Sequence, residues 1–320
     1  MSAHRSGPSP PRARGVLSAA VTGYLRGEGP LPDPESAGAA EPYGDDLQLA
    51  LYVCYELHYR GFAGVRPELE WDPPLLAVRA ALEDRFLAAL RRDAPAASSL
   101  DDTLDGLLVE PVHGSGVSWF LEDRGELHHL RDYAVQRSLY HLKEADPHAW
   151  VLPRLSGRAK AGMAAIEYDE FGAGRADRVH ARLFAGLMTD LGLDTAYGRY
   201  LDEGLAPMLA LVNLMSMFGL HRRLRGALVG HFAAVEITSS PASRRLARAM
   251  RRTGAGPAAE FFYTEHVEAD AVHEQVVRRD VIGGLLDDEP GLAADIAFGA
   301  AATSCLEDRL GDRLLTDWQA

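Results

Sequence analysis

The chain has 320 residues, 47% of them hydrophobic, enough to bury a substantial core in one large domain. Its 33 basic and 46 acidic side chains leave a net charge of −13, which argues against a phosphate-tracking nucleic-acid surface or an anionic membrane partner and favours a small-molecule substrate. Cys54 and Cys305 are the only cysteines, too few for a disulfide framework, and point to a reducing cytoplasm.

Residues 1–14 are rich in Pro, Arg and Ser, and residues 26–43 in Gly, Pro and acid. Residues 1–43 are therefore expected to form a flexible segment, with one short helix between the two stretches. Residues 15–25 are mildly apolar and follow Arg12 and Arg14, but Ser18, Thr22 and Gly23 dilute the run and no cleavage pattern follows, so it is not read as a secretion signal. A single packed domain is expected over 44–320. Within it apolar residues recur at three- and four-residue steps over about 45–61, 74–92, 117–146, 153–171, 176–190, 194–236, 241–253, 257–286 and 291–316, and almost nothing alternates with period two. This pattern predicts an all-α bundle of seven or more helices. Gly172 and Gly174 sit where one helix should stop before the next begins at Asp177, and Ser240 with Pro241 reads as an N-cap and first-turn proline. Residues 205–220 carry Asn213 and Ser216 and are too short for a bilayer span, so they read as a buried core helix.

The strongest chemical signal lies on the predicted helix over 257–286. His266, Asp270 and His273 follow at i, i+4 and i+7, which places them within about 60° of one another on a helical wheel. Phe262 and Val277 share that stripe, while Glu265, Glu268, Glu274, Gln275, Arg278 and Arg279 lie to the side or opposite, so the stripe should face the core. An ionised Asp between two imidazoles in an apolar interior needs compensation, which a divalent metal supplies. A metal-free alternative is an Asp bridging two core histidines by hydrogen bonds.

Carboxylates stand out in three further places. Glu167, Asp169 and Glu170 crowd the last turn of a helix ending at Gly172, where the macrodipole disfavours each anion by about 0.3–1 kcal/mol. A cation near Glu170 and His180 would remove that conflict, whereas Glu167 and Asp169 read as solvated. Glu236 has Ala233, Phe232 and Val229 as helical neighbours, so it is protonated, paired with Arg244 or Arg245, or metal-bound. Glu144 closes a long helix just before Pro147, where a surface role and a functional one are balanced.

Together, Glu170, His180 ten residues later, Glu236, and the run His266-x-x-x-Asp270-x-x-His273 resemble the haem-oxygenase-like di-iron oxidase and oxygenase superfamily, especially its actinobacterial iron-containing redox enzymes. The resemblance covers roughly residues 140–285 and implies a haem-oxygenase-like helical bundle. It also implies two Fe2+ ions, with Mn as an option in one position, and O2 as co-substrate. Glu170 and His180 would serve one iron, and His266, Asp270 and His273 would supply the other helical ligands. Glu236 would bridge, and Glu144 would be an additional carboxylate on one iron, with Glu144, Glu170 and Glu236 counted as catalytic. The implied activity is oxidation of an amino-acid-like or fatty-acid-like small molecule through a peroxo-level di-iron oxidant. An electron donor and a homodimer are the partners this implies.

Other features carry less. A ferritin-type bundle needs two Glu-x-x-His motifs, and the chain has one plausible helical case, Glu126 to His129, without a partner. His58, His113, His128 and His129 read as solvated. Tyr140, Tyr168, Tyr263 and Trp150 are pocket candidates, although aromatics at helical spacing are more often core. Gly172-Ala-Gly174 lacks the third glycine and preceding strand of a dinucleotide loop. Two competing functions remain: a metal-free, thiaminase-like hydrolase using Cys54, and a helical haem- or ligand-binding protein with His266 or His273 as axial ligand.

Overall fold

The computed structural model describes residues 7–95, 99–110 and 114–319; His113 lies outside them. No strand occurs among the described residues, and the chain adopts an all-α, haem-oxygenase-like fold. Its architecture is carried by α1 (Val16–Arg26), α2 (Asp45–Glu56), α3 (Pro73–Asp93), α4 (Leu127–His141), α5 (Gly157–Glu170), α6 (His180–Asp190), α7 (Ala206–Leu220), α8 (Arg225–Thr253), α9 (Pro257–Val276) and α10 (Ala293–Gln319). Among the described residues no helix is long and apolar enough to cross a membrane.

The centre is built from α7 and α8. Every residue from Met208 to Gly219 is buried, as is every residue from Arg225 to Ala234, which is what uniformly apolar helices require. The rest of α8 is amphipathic, and its largest packing surfaces are against α9 on one side and α10 on the other. Gly230 of α8 and Gly299 of α10 set that second contact. A Cβ at Gly230 would overlap the Ile296 carbonyl, and one at Gly299 would overlap the Ala227 carbonyl, so the two backbones meet without side chains between them.

The structure departs from the sequence reading at several boundaries. No helix starts at Ser240 and Pro241; α8 runs through the proline. An interior proline costs about 3 kcal/mol through its missing N–H and ring clash. Buried Ile237 before it and Ser243 and Leu246 after it keep both halves in the core, and Ser240 Oγ donates to the Val267 carbonyl of α9. The segment 194–236 divides into α7 and the start of α8, and 257–286 divides into α9, a π-helical turn at Val277–Ile282 and the short helix Gly283–Asp288. Helix α6 starts at His180 rather than Asp177, because the chain must first reverse through Gly172, held at φ 79°.

Where flexibility was expected over 1–43, residues 7–43 are tied to the bundle. Leu17, Val21 and Leu25 of α1 are buried, Asp46 accepts hydrogen bonds from the Leu17 and Ser18 amides, and the Arg14 guanidinium donates to the Gly204 and Leu201 carbonyls. Average composition concealed three apolar residues on one helical face.

Gly299→Ala forces a methyl group against the Ala227 carbonyl and should destabilise the fold by about 1–3 kcal/mol or more. Urea unfolding checks this as a lowered midpoint with an unchanged slope.

Candidate metal centre

The end of α5, the start of α6, the middle of α8 and the second half of α9, with the turn after α4, bring acids and imidazoles to one region. Glu144, Glu170, His180 and His266 each place a donor atom within 4.8 Å of the others', and so do Glu170, Glu236 and His273. Glu170 belongs to both groups. Asp270 stands beside the second, with Oδ1 3.8 Å from His273 Nδ1. All seven side chains are buried.

Local structure aims each group. Glu170 is the last residue of α5 and His180 the first of α6, so the Gly172 turn joins them. Glu144 sits in the turn that leaves α4, between Lys143 and Ala145. Lys143 is fully buried against Glu56 at 2.9 Å, its ammonium lies over the Tyr52 and Tyr59 rings, and the Tyr197 hydroxyl donates to the same Glu56 carboxylate. His266, Asp270 and His273 share the inward face of α9, as their spacing requires.

Several of the donor atoms have no hydrogen-bond partner, although His273 Nδ1 and Glu236 Oε2 are bonded to each other. His180 Nδ1 and Glu170 Oε2 are 2.7 Å apart, yet His180 Nδ1 makes no aligned hydrogen bond. His266 Nδ1 donates to the Phe262 carbonyl at 2.7 Å, so Nε2 is the nitrogen a metal could take; it has no aligned partner and lies 3.8 Å from Glu144 Oε1. Glu144 Oε2 and Asp270 Oδ2 are likewise buried without partners, while Glu144 Oε1 is held by His141 Nδ1 at 2.7 Å. His273 directs Nδ1 at Glu236 (3.2 Å) and Glu170 (3.7 Å), with Asp169 3.4 Å from its outer nitrogen, Nε2. Orphaned buried polar atoms are expensive unless something binds them. A divalent cation with N and O preferences fits this set, and the lack of thiolate argues against a structural zinc site.

Residues 131–308, more than half of the chain, match the family of iron-containing redox enzymes. The chain belongs to this family. A nitrosourea synthase from Streptomyces achromogenes subsp. streptozoticus is 26% identical over 186 residues, which is 58% of this chain and 39% of that relative. The chain therefore spans well under two thirds of that protein's length.

In this iron-containing redox enzyme the cluster is strained by its own charge. Burial drives the Glu236 carboxyl up to about 8, helped by Asp270 and Glu170 against the pull of His273. Burial likewise raises Asp270 to about 6. Burial alone would lower the two α9 imidazoles, but Glu144 carries His266 up to about 10 and Glu236 carries His273 up to about 9. Burial also opposes the Glu144 charge, yet His141 and His266 hold that carboxyl well below its usual range. Without a cation, protons must occupy the cluster.

Several sequence expectations are corrected. Glu167, read as solvated, is buried with both oxygens unpartnered, and burial with Glu170 and Glu236 nearby pushes it up to about 9. Its position one turn before Glu170 was the available signal. Asp169 is half exposed but reaches His273. Glu236 pairs with His273 rather than an arginine; Arg245 instead bonds Ser118 and Glu110. His58 is buried between Glu70 and Arg79, and His129 is buried with Nδ1 accepting from the Glu126 amide, whereas His128 is exposed. Cys54 is buried and its thiol is pushed up to about 12 by desolvation, which disfavours the thiolate a hydrolase would need.

A cavity of about 910 Å³ opens onto the cluster, lined by Glu144, Glu170, Glu236, His266 and Asp270 together with Tyr140 and Tyr263. Of the other pocket candidates, Tyr168 is exposed and Trp150 lines a separate cleft.

Glu167 binds its proton more tightly folded than unfolded, so its contribution is present below pH 4.5 and is lost as pH rises toward 9. Glu167→Gln removes that loss. In chelator-treated protein the variant should gain at least about 1 kcal/mol on wild type between pH 5 and pH 8, measured by urea unfolding.

Proposed function

We propose that this chain is a non-haem di-iron, dioxygen-dependent oxidoreductase of a small molecule, amino-acid-like or fatty-acid-like. The observation that supports it best is the pair of donor groups joined at Glu170, with unpartnered buried atoms on Glu144, His180, His266 and Asp270. Glu144, Glu170, His180 and His266 would hold one ferrous ion; Glu170, Glu236, Asp270 and His273 would hold the other. We place the shared carboxylate at Glu170, where Glu236 had been expected to bridge. Charge supports two ions: four carboxylates carry −4, two divalent cations carry +4, and the three imidazoles stay neutral.

Bound there, ferrous iron supplies electrons that reduce dioxygen beside the substrate. The remaining work falls to the protein. His141 and Asp169 hold Glu144 and His273 in orientation from outside the cluster. The apolar wall of Phe232, Met215 and Phe262 keeps water from the donor atoms, and the cavity seats the substrate against them. An electron donor would be a required partner of such a site. The relative's printed activity, formation of a nitrosourea, favours oxidation at nitrogen among the reactions open to such a site.

Anaerobic loading with ferrous iron, followed by metal counting, tests the assignment. Wild type should bind two irons per chain, Glu144→Ala and Glu236→Ala about one each, and Glu170→Ala close to none. Equal stoichiometry in Glu170→Ala and wild type would sink the proposal. Loading should also raise stability by about 2.7 kcal/mol at a free iron concentration of roughly 100 times Kd, visible as a Tm shift that a chelator reverses.

A further inference from the structure

A second chain of polar atoms borders the same cavity and is not needed to hold metal. His148, on the one-turn helix Asp146–Ala149, His231 on α8 and Thr303 on α10 are all buried. Thr303 Oγ1 lies 2.8 Å from the Gly299 carbonyl oxygen and 2.8 Å from His231 Nδ1, and His231 Nε2 lies 3.0 Å from His148 Nε2. These distances, with both rings neutral, assign every proton. Two oxygens 2.8 Å apart need a hydrogen between them, and the Gly299 carbonyl has none to give, so Thr303 donates there. Thr303 must then accept from His231 Nδ1–H. Burial keeps both imidazoles neutral, holding His148 down to about 4 and His231 well below its usual range, so each ring carries one proton. His231 Nε2 is therefore bare and accepts from His148 Nε2–H. The chain ends with His148 Nδ1 unprotonated and without a protein partner among the described residues. His148 and Thr303 both line the cavity that Glu144, Glu170 and His266 face.

We propose that His148 is a substrate-binding residue whose bare Nδ1 accepts a hydrogen bond from an N–H or O–H group, so the substrate is an amine, amide or alcohol at this point rather than a plain hydrocarbon chain. The inference rests on reading the cavity as the substrate chamber of the proposed iron site. Thr303 and His231 act here as positioning residues: through their hydrogen bonds they choose the tautomer that His148 presents. A neutral buried acceptor also discriminates, since an isostere without the donor leaves that nitrogen desolvated and unpaired.

The test uses the full chain labelled with nitrogen-15 at histidine, after chelator treatment, with N-methylacetamide as a donor-bearing probe and N,N-dimethylacetamide as its donor-less counterpart. Nitrogen spectra of wild type should show His148 protonated at Nε2 and bare at Nδ1. N-methylacetamide should move the Nδ1 resonance, and N,N-dimethylacetamide should not. Thr303→Val removes the acceptor at the far end of the chain and should leave His148 in mixed tautomers, with discrimination between the probes falling roughly three- to tenfold; Thr303→Ser should restore both. A wild-type His148 protonated at Nδ1 overturns the proposal, as does an equal response to both amides or none to either. Iron stoichiometry is measured separately on the same samples. Loss of iron binding in wild type would refute the oxidoreductase reading while leaving the tautomer result to stand or fall alone.

Discussion

Everything in this molecule is arranged around negative charge that has been taken out of water. Glu144, Glu170, Glu236 and Asp270 come from separate segments of the chain, yet they crowd one interior region together with the imidazoles of His180, His266 and His273. Such a group is tolerable only if cations or protons neutralise it. The upward displacement of Glu236, Asp270, His266 and His273 is the proton solution to this problem, and two divalent ions are the metal solution. The unpartnered atoms of Glu144, His180, His266 and Asp270 favour the second. Outside partners, His141, Asp169 and the Phe262 carbonyl, help to orient Glu144, His273 and His266, and His273 also bonds Glu236 within the cluster.

The donors also sit where helices are interrupted. Glu144 precedes Ala145, which is held at φ 71°, a left-handed conformation that costs a non-glycine residue about 1–2 kcal/mol. Glu170 ends α5, His180 begins α6, and a π-helical turn follows α9 four residues after His273. Backbone at such points is set by its surroundings rather than by regular hydrogen bonding. Rigidity must come from elsewhere, and the Lys143–Glu56–Tyr197 cluster supplies it beside Glu144.

How much of this was legible in the sequence follows from how local each feature is. His266, Asp270 and His273 share one helical stripe, so their convergence could be read from spacing alone. Glu170 and His180 needed only a tight turn between them, which Gly172 announced. The burial of Glu167 was signalled only by its place one turn before Glu170, because whether the last turn of α5 faces inward depends on helices far away in sequence. The same holds for His148 and His231, 83 residues apart, each of which reads as an unremarkable core histidine. The continuity of α8 through Pro241 defeated a sound local rule. Packing on both sides of the proline outweighs its cost, and no residue within a few positions of 241 could reveal that.

That continuity matters because α8 divides the interior. Glu236 on one of its faces meets His273 of α9, while His231 on another meets His148 and Thr303. The second meeting depends on how closely α10 approaches. Gly230 immediately precedes His231, and Gly299 lies one turn before Thr303, so the two positions where side chains are excluded flank the hydrogen bond between helices. Larger residues there would hold α10 away and leave His231 without its acceptor. The tautomer facing the cavity would then be unfixed. Close helix packing and the recognition chemistry of the chamber are thus one constraint, imposed by two glycines whose placement makes sense only once both helices are seen together.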